Sequence, residues 1–509
     1  MIGWSLLKKH IFRAFAALIH LVTLGRLRHS RPTEGNALTM TLGDKLWWGY
    51  KFYGHPILEP QKDKGIREYF REHPITGFAA PSPEGQKDAG AKAAVPGPEG
   101  LADAAPSDAR PSDARPSGAQ PSSPRPDDGQ PDDARPSTSH PNNAQSTASQ
   151  PPDQAVITFG GDVLPAQSLG TMSTRHLWDQ VSDFFFEADF RCANLESPVV
   201  RSLPLSCPTE DITTPPGLNN AAAAVALLAQ EGAGINVFST ANNHALDQGV
   251  EGLLATLDFL DEAGLTHVGT ARTALERDAF PLLEAGGIKV AFLSWTFSLN
   301  GHSLPEGREY LANVVRLNVP DIPLDPIVRQ ARHARQRGAD VVVLFAHWGL
   351  EHEVFPLACQ METGHRLVEA GVDIIAGNHP HAPQPAERYC YRDAAGRQRD
   401  GLVLYALGDL VTQFPEVGVS ALGALARVRL VRQPDSQVAI CSAELKPVYA
   451  YRYPAAGTPP TDMRALDFAT LRQRLQKGDL DSDPVLSLDQ VKAIQKLIPV
   501  QEDVLPITC

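Results

Sequence analysis

A pattern repeated six times between residues 155 and 411 constrains this chain more than anything else in it. Each time, a short apolar run passes directly into glycine, asparagine, aspartate or histidine. Ile157-Thr158-Phe159 leads to Gly160-Gly161-Asp162, and Arg191-Cys192-Ala193 to Asn194-Leu195-Glu196. Val237–Thr240 precedes Asn242-Asn243-His244, and Val343–Ala346 precedes His347-Trp348-Gly349. Ile374–Ala376 leads to Gly377-Asn378-His379-Pro380-His381, and Leu404–Ala406 to Gly408-Asp409. Runs this short and this apolar read as strands buried on both faces. Ile288–Trp295 and Asp340–Ala346 read the same way, with helical segments at Leu218–Gln230, Gly249–Ala263, Pro326–Arg337 and Met361–Ala370. That alternation predicts an α/β domain, mostly parallel sheet covered by helices on both faces. Leu422–Val431 and Gln437–Leu445 read as neighbouring antiparallel strands at its end.

In such sheets, ligands bind beyond the carboxyl ends of the strands. Six strand ends here carry a carboxylate, an amide or an imidazole, the donor types that a pair of divalent cations draws from separate rigid elements. His379 and His381 flank Pro380, and an extended segment would point both to one side. Glycines shortly before Asp162, His379 and Asp409 let the chain turn tightly and approach a ligand. A single histidine at a strand end is more often structural than a ligand, so the weight lies in the recurrence. Glu351 and Glu353 follow His347 closely, and Glu351 either orients an imidazole or is a solvated loop acid. Asp247 either holds His244 or only caps the helix that follows. Trp295 and Trp348 read as core or pocket wall.

The 509 residues exceed what one domain needs, and four segments are expected. Residues 1–79 are basic, apolar and aromatic, and residues 80–153 are a proline-rich linker. Residues 154–455 are the α/β domain, and residues 456–509 a C-terminal extension. From Pro106 the linker repeats a five-residue unit (PSDAR, PSDAR, PSGAQ, PSSPR, PDDGQ and onward). Proline at every fifth position breaks helices, and almost nothing apolar is present to bury, so a disordered, solvated spacer is expected. It is either a tether that separates the N-terminal segment from the main domain or an expanded repeat without a role. Residues 1–33 hold Lys8, Lys9, Arg13, Arg26, Arg28 and Arg31 and no acid, around the apolar stretch Ala14–Leu24. That stretch is short for a spanning helix, which needs roughly 20 residues, and its length and basic flank suit a signal-peptide core, although no small-residue cleavage site follows it. A helix lying in a membrane surface and a helix packed on the protein itself both fit. The first places the protein at a membrane or outside the cytoplasm, and the second leaves the cytoplasm open.

A net charge of −13 excludes nucleic acid as partner, since phosphate-binding surfaces need clustered lysine and arginine. The six cysteines show no CxxC spacing, which argues against a zinc ribbon or a thioredoxin-type pair and leaves one or two disulfides, and hence the compartment, open.

GDVL, ANLESPV, TANNHALDQGVEGLLATLDFLDEAGLTHVGT, FAHWGLEHEVFP, AGVDIIAGNHPHAPQ and LYALGDLV, between Ile157 and Phe414, resemble the ordered motifs of the CapA family of poly-γ-glutamate capsule synthesis proteins. The resemblance implies a calcineurin-like metallophosphoesterase sandwich, two sheets flanked by helices. Carried over residue by residue, it implies Asp162, Glu196, Asn243, His347, His379 and His381 as ligands of one or two divalent ions (manganese, zinc, iron or magnesium). His244 becomes the acid or phosphate-contacting residue, with Asp247 beside it. Asn242, Glu351, Asn378 and Asp409 support the ligands or contact substrate. Two positions depart from the pattern. Leu164 stands where phosphoesterases carry a histidine, which leaves one metal short of a ligand, and Asp409 stands where many relatives have asparagine. Two functions compete. One is a hydrolase that cleaves a phosphoester or a γ-glutamyl amide. The other is a non-catalytic, membrane-linked accessory in making or exporting an anionic polymer.

Overall fold

The computed structural model describes residues 66, 68–70, 153–167, 169, 177–208, 217–230, 233–412, 420–453 and 462–477. The chain falls into two units, residues 1–80 with 152–509 and residues 81–151. The second unit lies outside the described residues, as do residues 1–33 and the helix expected there. Among the described residues no helix is long and apolar enough to cross a membrane.

The first half of the domain builds β1 (Gln154–Val163), β2 (Phe190–Leu195), β3 (Val237–Ser239) and β4 (Thr266–Val268), paired in parallel in that order. Helices α1 (Ser182–Phe186), α2 (Ala222–Ala229) and α3 (Gly249–Glu262) connect them. In α3, Leu253, Leu257 and Leu260 recur at three- and four-residue spacing, so one face is apolar and buried. After the short α4 (Ala274–Asp278), the chain enters a second sheet with β5 (Leu282–Ala285), β6 (Ile288–Thr296), β7 (Val341–His347) and β8 (Ile374–Asn378). β9 (Ala386–Arg392) and β10 (Gln398–Leu404) complete it, in the order β5-β6-β7-β8-β10-β9. Its four central strands are parallel and its two edges antiparallel. Helices α5 (Asp325–Gln336) and α6 (Ala358–Glu369) make its crossovers.

The chain then returns to the first sheet. β11 (Asp409–Val411) pairs in parallel with β1, and β12 (Leu422–Arg432) pairs antiparallel with β1 on the other side from β2. β13 (Val438–Tyr453) and β14 (Asp462–Asp467) extend that edge, and α7 (Phe468–Lys477) follows. The boundary expected at residue 455 therefore falls inside the sheet, because β14 hydrogen-bonds to β13 in register from Val448–Asp467 to Tyr453–Asp462.

Strand alternation sorts the apolar residues into layers. Ile157, Phe159, Cys192 and Val237 of the first sheet meet Val290, Phe292, Val343, Phe345, Ile374 and Leu402 of the second in one buried core. The intervening residues Leu293, Trp295, Leu344 and Trp348 face outward under α5 and α6. Ala193, Leu195 and Phe238 face outward under α2 and α3. Burial on both faces is why these strands read as continuous apolar runs. The result is the two-sheet sandwich flanked by helices that the calcineurin-like resemblance implies. Trp295 and Trp348 are core, their indole nitrogens donating to Gln330 Oε1 (2.8 Å) and to the Tyr405 carbonyl (3.0 Å).

Candidate metal centre

The parallel strands of both sheets end at the same rim, and their last residues form the site. Asp162 is the penultimate residue of β1, Asn194 lies near the end of β2 with Glu196 just past it, and Asn242, Asn243 and His244 follow β3. From the second sheet, His347 closes β7, and Asn378 closes β8 ahead of His379 and His381. Asp409 opens β11.

Two glycines allow this convergence, for a reason the sequence did not show. A Cβ on Gly161 would lie 1.8 Å from the Gly408 carbonyl oxygen, and one on Gly377 would lie 1.9 Å from that of Tyr405. These glycines admit neighbouring backbone, not a ligand. Asp162 N then donates to Gly408 O (2.9 Å) and Leu407 N to Gly377 O (3.2 Å), stitching the last loop to both sheets. Gly408 itself does turn the chain, at φ +70°. The extended reading of His379 and His381 is corrected: their φ values are +95° and +49°. Such backbone is costly for residues other than glycine and concentrates at functional sites.

Every expected ligand is brought together, fully or almost fully buried. Asn194 Nδ2 donates to Asp162 Oδ1 (2.8 Å) and stands 3.3 Å from His347 Nδ1. His347 Nε2 lies 2.8 Å from Asn243 Oδ1 and 3.3 Å from Glu196 Oε1. The His379 amide donates to Asp162 Oδ2 (3.0 Å). His381 Nδ1 lies 2.8 Å from Asp409 Oδ1 and 3.6 Å from Asp162 Oδ2, and its Nε2 lies 3.6 Å from Glu196 Oε1. Asn242 braces the frame, its amide donating to Leu195 O (2.7 Å) and Asn194 Oδ1 (3.3 Å).

Three groups of donor atoms each fall within 4.8 Å of one another: Glu196, His379 and His381; Asp162, His381 and Asp409; Asp162, Glu196 and His347. Several buried polar atoms in and beside these groups meet no hydrogen-bond partner. Both Glu196 oxygens, His379 Nδ1, Asp409 Oδ2 and Asn378 Nδ2 are buried and make no hydrogen bond. Unsatisfied buried groups cost stability, and a carboxylate costs most. A divalent cation would satisfy both Glu196 and His379, so the residues present fit one.

The electrostatics agree. Burial, then neighbouring imidazoles, push His347 and His379 well below the usual histidine range, so both are neutral as ligands must be. Burial raises Asp162 to about 6 and drives Glu196 well above the carboxylate range, with Asp162 adding to the latter. Burial works against a charge on His381 too, but Glu196, Asp409 and Asp162 around it hold it well above its usual value. Asp162 and Glu196, crowded together and buried, hold their protons more readily than free carboxyls do.

His244 stands at the edge of the cluster. Its Nδ1 lies 2.8 Å from Asp247 Oδ2, which also accepts from Leu218 N (2.9 Å). Asp247 thus holds His244, and the capping reading is set aside: the residue at the N-cap of α3 is Gln248, with no side-chain cap. Asn300 was not foreseen. Its Oδ1 accepts from Asn243 Nδ2 (3.2 Å) and its Nδ2 lies 3.4 Å from His244 Nδ1, joining a ligand position to the His244 pair. It sits in the loop after β6, where no apolar run leads directly into it. His352 was missed as well. It is buried, its ring 6.3 Å from that of His381, while Glu351 is only half-buried. Leu164 is buried and its amide donates to Val411 O (3.0 Å), so an apolar side chain fills that corner.

Among relatives, the "Capsule biosynthesis protein CapA" of Bacillus anthracis is 26% identical over 263 residues, 51% of this chain and 60% of its own length. The "PGA biosynthesis protein CapA" of Bacillus subtilis is 26% identical over 273 residues, 50% of this chain and 65% of its own length. The chain thus spans somewhat less than two thirds of these relatives. Among solved structures, the NAD nucleotidase of Haemophilus influenzae aligns over 67% of this chain and 66% of its own, at 11% identity and a TM-score of 0.33. The model of the bacterial capsule synthesis protein family PGA_cap matches residues 156–413, the stretch that holds every residue of the site, and the chain belongs to that family.

Proposed function

We propose that this protein is a divalent-metal-dependent hydrolase of poly-γ-glutamate or related anionic capsule polymer metabolism, cleaving a phosphoester or a γ-glutamyl amide. The observation that carries the reading is the set of buried, unpartnered donor atoms on Glu196, His379 and Asp409, packed within reach of Asp162, His347 and His381. Asp162, Glu196, Asn243, His347, His379 and His381 would hold the cation. Once bound, it supplies Lewis acidity toward a phosphoryl or carbonyl oxygen and lowers the pKa of water.

The chain's own residues do the rest. Asp247 accepts from His244 Nδ1, fixing the ring so that Nε2 can carry a proton to the leaving group. Asn300 accepts from Asn243 through Oδ1 and stands beside the His244 ring, so the acid sits against a residue that fixes a ligand position. Asp409 orients His381 through Nδ1, leaving Nε2 toward Glu196. Buried walls around the rim exclude bulk water and strengthen each of these interactions.

A second reading keeps the metal and drops the turnover: a membrane-associated accessory in polymer synthesis or export, with residues 1–33 at an anionic lipid surface. Leu164 favours it, because an apolar side chain where phosphoesterases have an imidazole removes a ligand. Metal analysis combined with assays on a chromogenic phosphoester and on γ-glutamyl oligopeptides separates the two. Metal-dependent cleavage of either substrate supports the hydrolase. Bound metal with no cleavage of either overturns it in favour of the accessory.

A further inference from the structure

We propose that the helical residues Ile66, Tyr69 and Phe70 are an intramolecular latch, held on the outer face of the second sheet ahead of the proline repeat. Ile66 and Phe70 are four residues apart and so share one face of a helical turn. Both are buried, at 8% and 3% exposure, in the same core as Leu344, Trp348 and Tyr405. The Phe70 ring meets Tyr405 edge-on, with centroids 5.6 Å apart, and lies 6.3 Å from the Phe355 ring.

The third contact is polar and specific. Tyr69 Oη donates to Glu387 Oε1. Glu387 is almost fully buried at the start of β9 and also receives Tyr405 Oη (2.7 Å) and His365 Nε2 (3.0 Å). Burial alone would raise this carboxyl, and the hydrogen bonds from His365, Tyr69 and Tyr405 hold it below the ordinary value instead. A recess that takes two apolar side chains and offers a buried carboxylate to a phenol between them is built for this segment.

The consequence concerns connectivity. At the other end of the repeat, Asp153 is fixed to the same body, its carbonyl accepting from Arg432 N (2.9 Å) and its Oδ2 from Arg432 Nε (3.0 Å). The chain between Phe70 and Asp153 therefore leaves and rejoins one body. With both ends held in this way, the repeat would not serve as a spacer between residues 1–33 and the domain. Anything that residues 1–33 bind is joined to the domain through residues 34–65. The latch also abuts the metal centre from behind: Phe70 packs on Tyr405, whose carbonyl holds the indole of Trp348, the residue after His347.

A specific protease site inserted after Gly118 of the full chain tests this. After cleavage, the N-terminal fragment should co-elute with the rest in size-exclusion chromatography, and separation of the wild-type fragments would overturn the latch. In an Ile66→Ser/Phe70→Ser chain, the fragment should leave on cleavage, and continued co-elution would overturn the proposal equally. Should that double variant fail to fold, Tyr69→Phe decides. It deletes one hydrogen bond and no apolar surface, and should speed dissociation of the cleaved fragment several-fold. An unchanged rate would show that Glu387 does not hold the segment.

Discussion

The two sheets give the candidate metal centre opposite halves. The first sheet supplies oxygen: the carboxylates of Asp162, Glu196 and Asp409, and the amides of Asn194 and Asn243. The second supplies nitrogen: the imidazoles of His347, His379 and His381. Neither half is a site by itself. They meet because a shared apolar core fixes the sheets face to face below the rim, and because Asn194, Asn243 and Asp409 reach across to the imidazoles. Burial acts differently on the two halves. It makes Asp162 and Glu196 reluctant to ionise and keeps His347 and His379 neutral. Neutral imidazoles already suit a cation, whereas the carboxyl half becomes a ligand set only when a cation arrives. The difference teaches that the acid half is where binding and protonation compete.

The largest effects should come from emptying the nitrogen half. His379→Ala or His381→Ala leaves a cation under-coordinated in a dry cleft. Either should lower affinity by more than the roughly 10–100-fold that loss of a supporting residue costs. His333→Ala, on the exposed face of α5, should leave metal content unchanged. Elemental analysis after dialysis against limiting manganese compares all three. Equal occupancy in all of them would dissolve the two-halves picture.

Replacing His244, which belongs to neither half, should separate binding from turnover. His244→Ala should retain metal and lose turnover by about 10²–10⁴, the usual worth of a positioned proton donor. A parallel fall in metal content would move His244 into the ligand set and leave the proton transfer unassigned.

Much of this arrangement was legible before any coordinates, for a physical reason. A strand buried on both faces must be an unbroken apolar run, and a polar residue placed at its end shows up against that background, as at Phe345-Ala346-His347 and Ile375-Ala376-Gly377-Asn378. Edge strands lack this contrast. β4 has three residues, and β9 reads Ala-Glu-Arg-Tyr-Cys-Tyr-Arg because one of its faces is wet, so both were missed. Asn300 and His352 come from loops, where nothing periodic marks a residue and only the fold brings it near the rim. The direction of His379 and His381 was also beyond sequence reasoning. Positive φ at two histidines is imposed by the surroundings, and local preference runs the other way.

The competition in the acid half predicts a pH dependence whose sign is fixed. Asp162, raised to about 6, keeps its proton in the metal-free fold below that pH, and Glu196 and His381 are also held protonated above their usual ranges. Ionising Asp162 therefore costs the metal-free protein stability as pH rises from about 4 through about 6, and a bound cation removes that cost. His347 and His379 are neutral with or without metal, so they cancel in the comparison. The stabilisation gained on adding manganese should grow from about pH 5 to about pH 7, with affinity rising roughly tenfold per pH unit for each proton displaced. Paired thermal melts with manganese and with chelator measure it. A gain independent of pH would show that the carboxyls are already ionised in the empty site.

The smallest predicted effect tests whether a loop adds a third contributor beside the two sheets. His352 lies between β7 and α6, its amide donating to Pro380 O (2.6 Å) and its Nδ1 3.2 Å from Ser420 Oγ. Its φ is +60°, a conformation that glycine adopts without strain, so His352→Gly removes the side chain while keeping the backbone path. If the imidazole contacts bound anion beside His381, the change should leave manganese content intact and weaken inorganic phosphate binding about 2–10-fold, the worth of one hydrogen bond. Calorimetry on the manganese-loaded protein measures both. A loss of manganese would instead make His352 a support of His381, part of the nitrogen half. No change in either would confine His352 to loop packing and leave the two sheets as the only contributors to the centre.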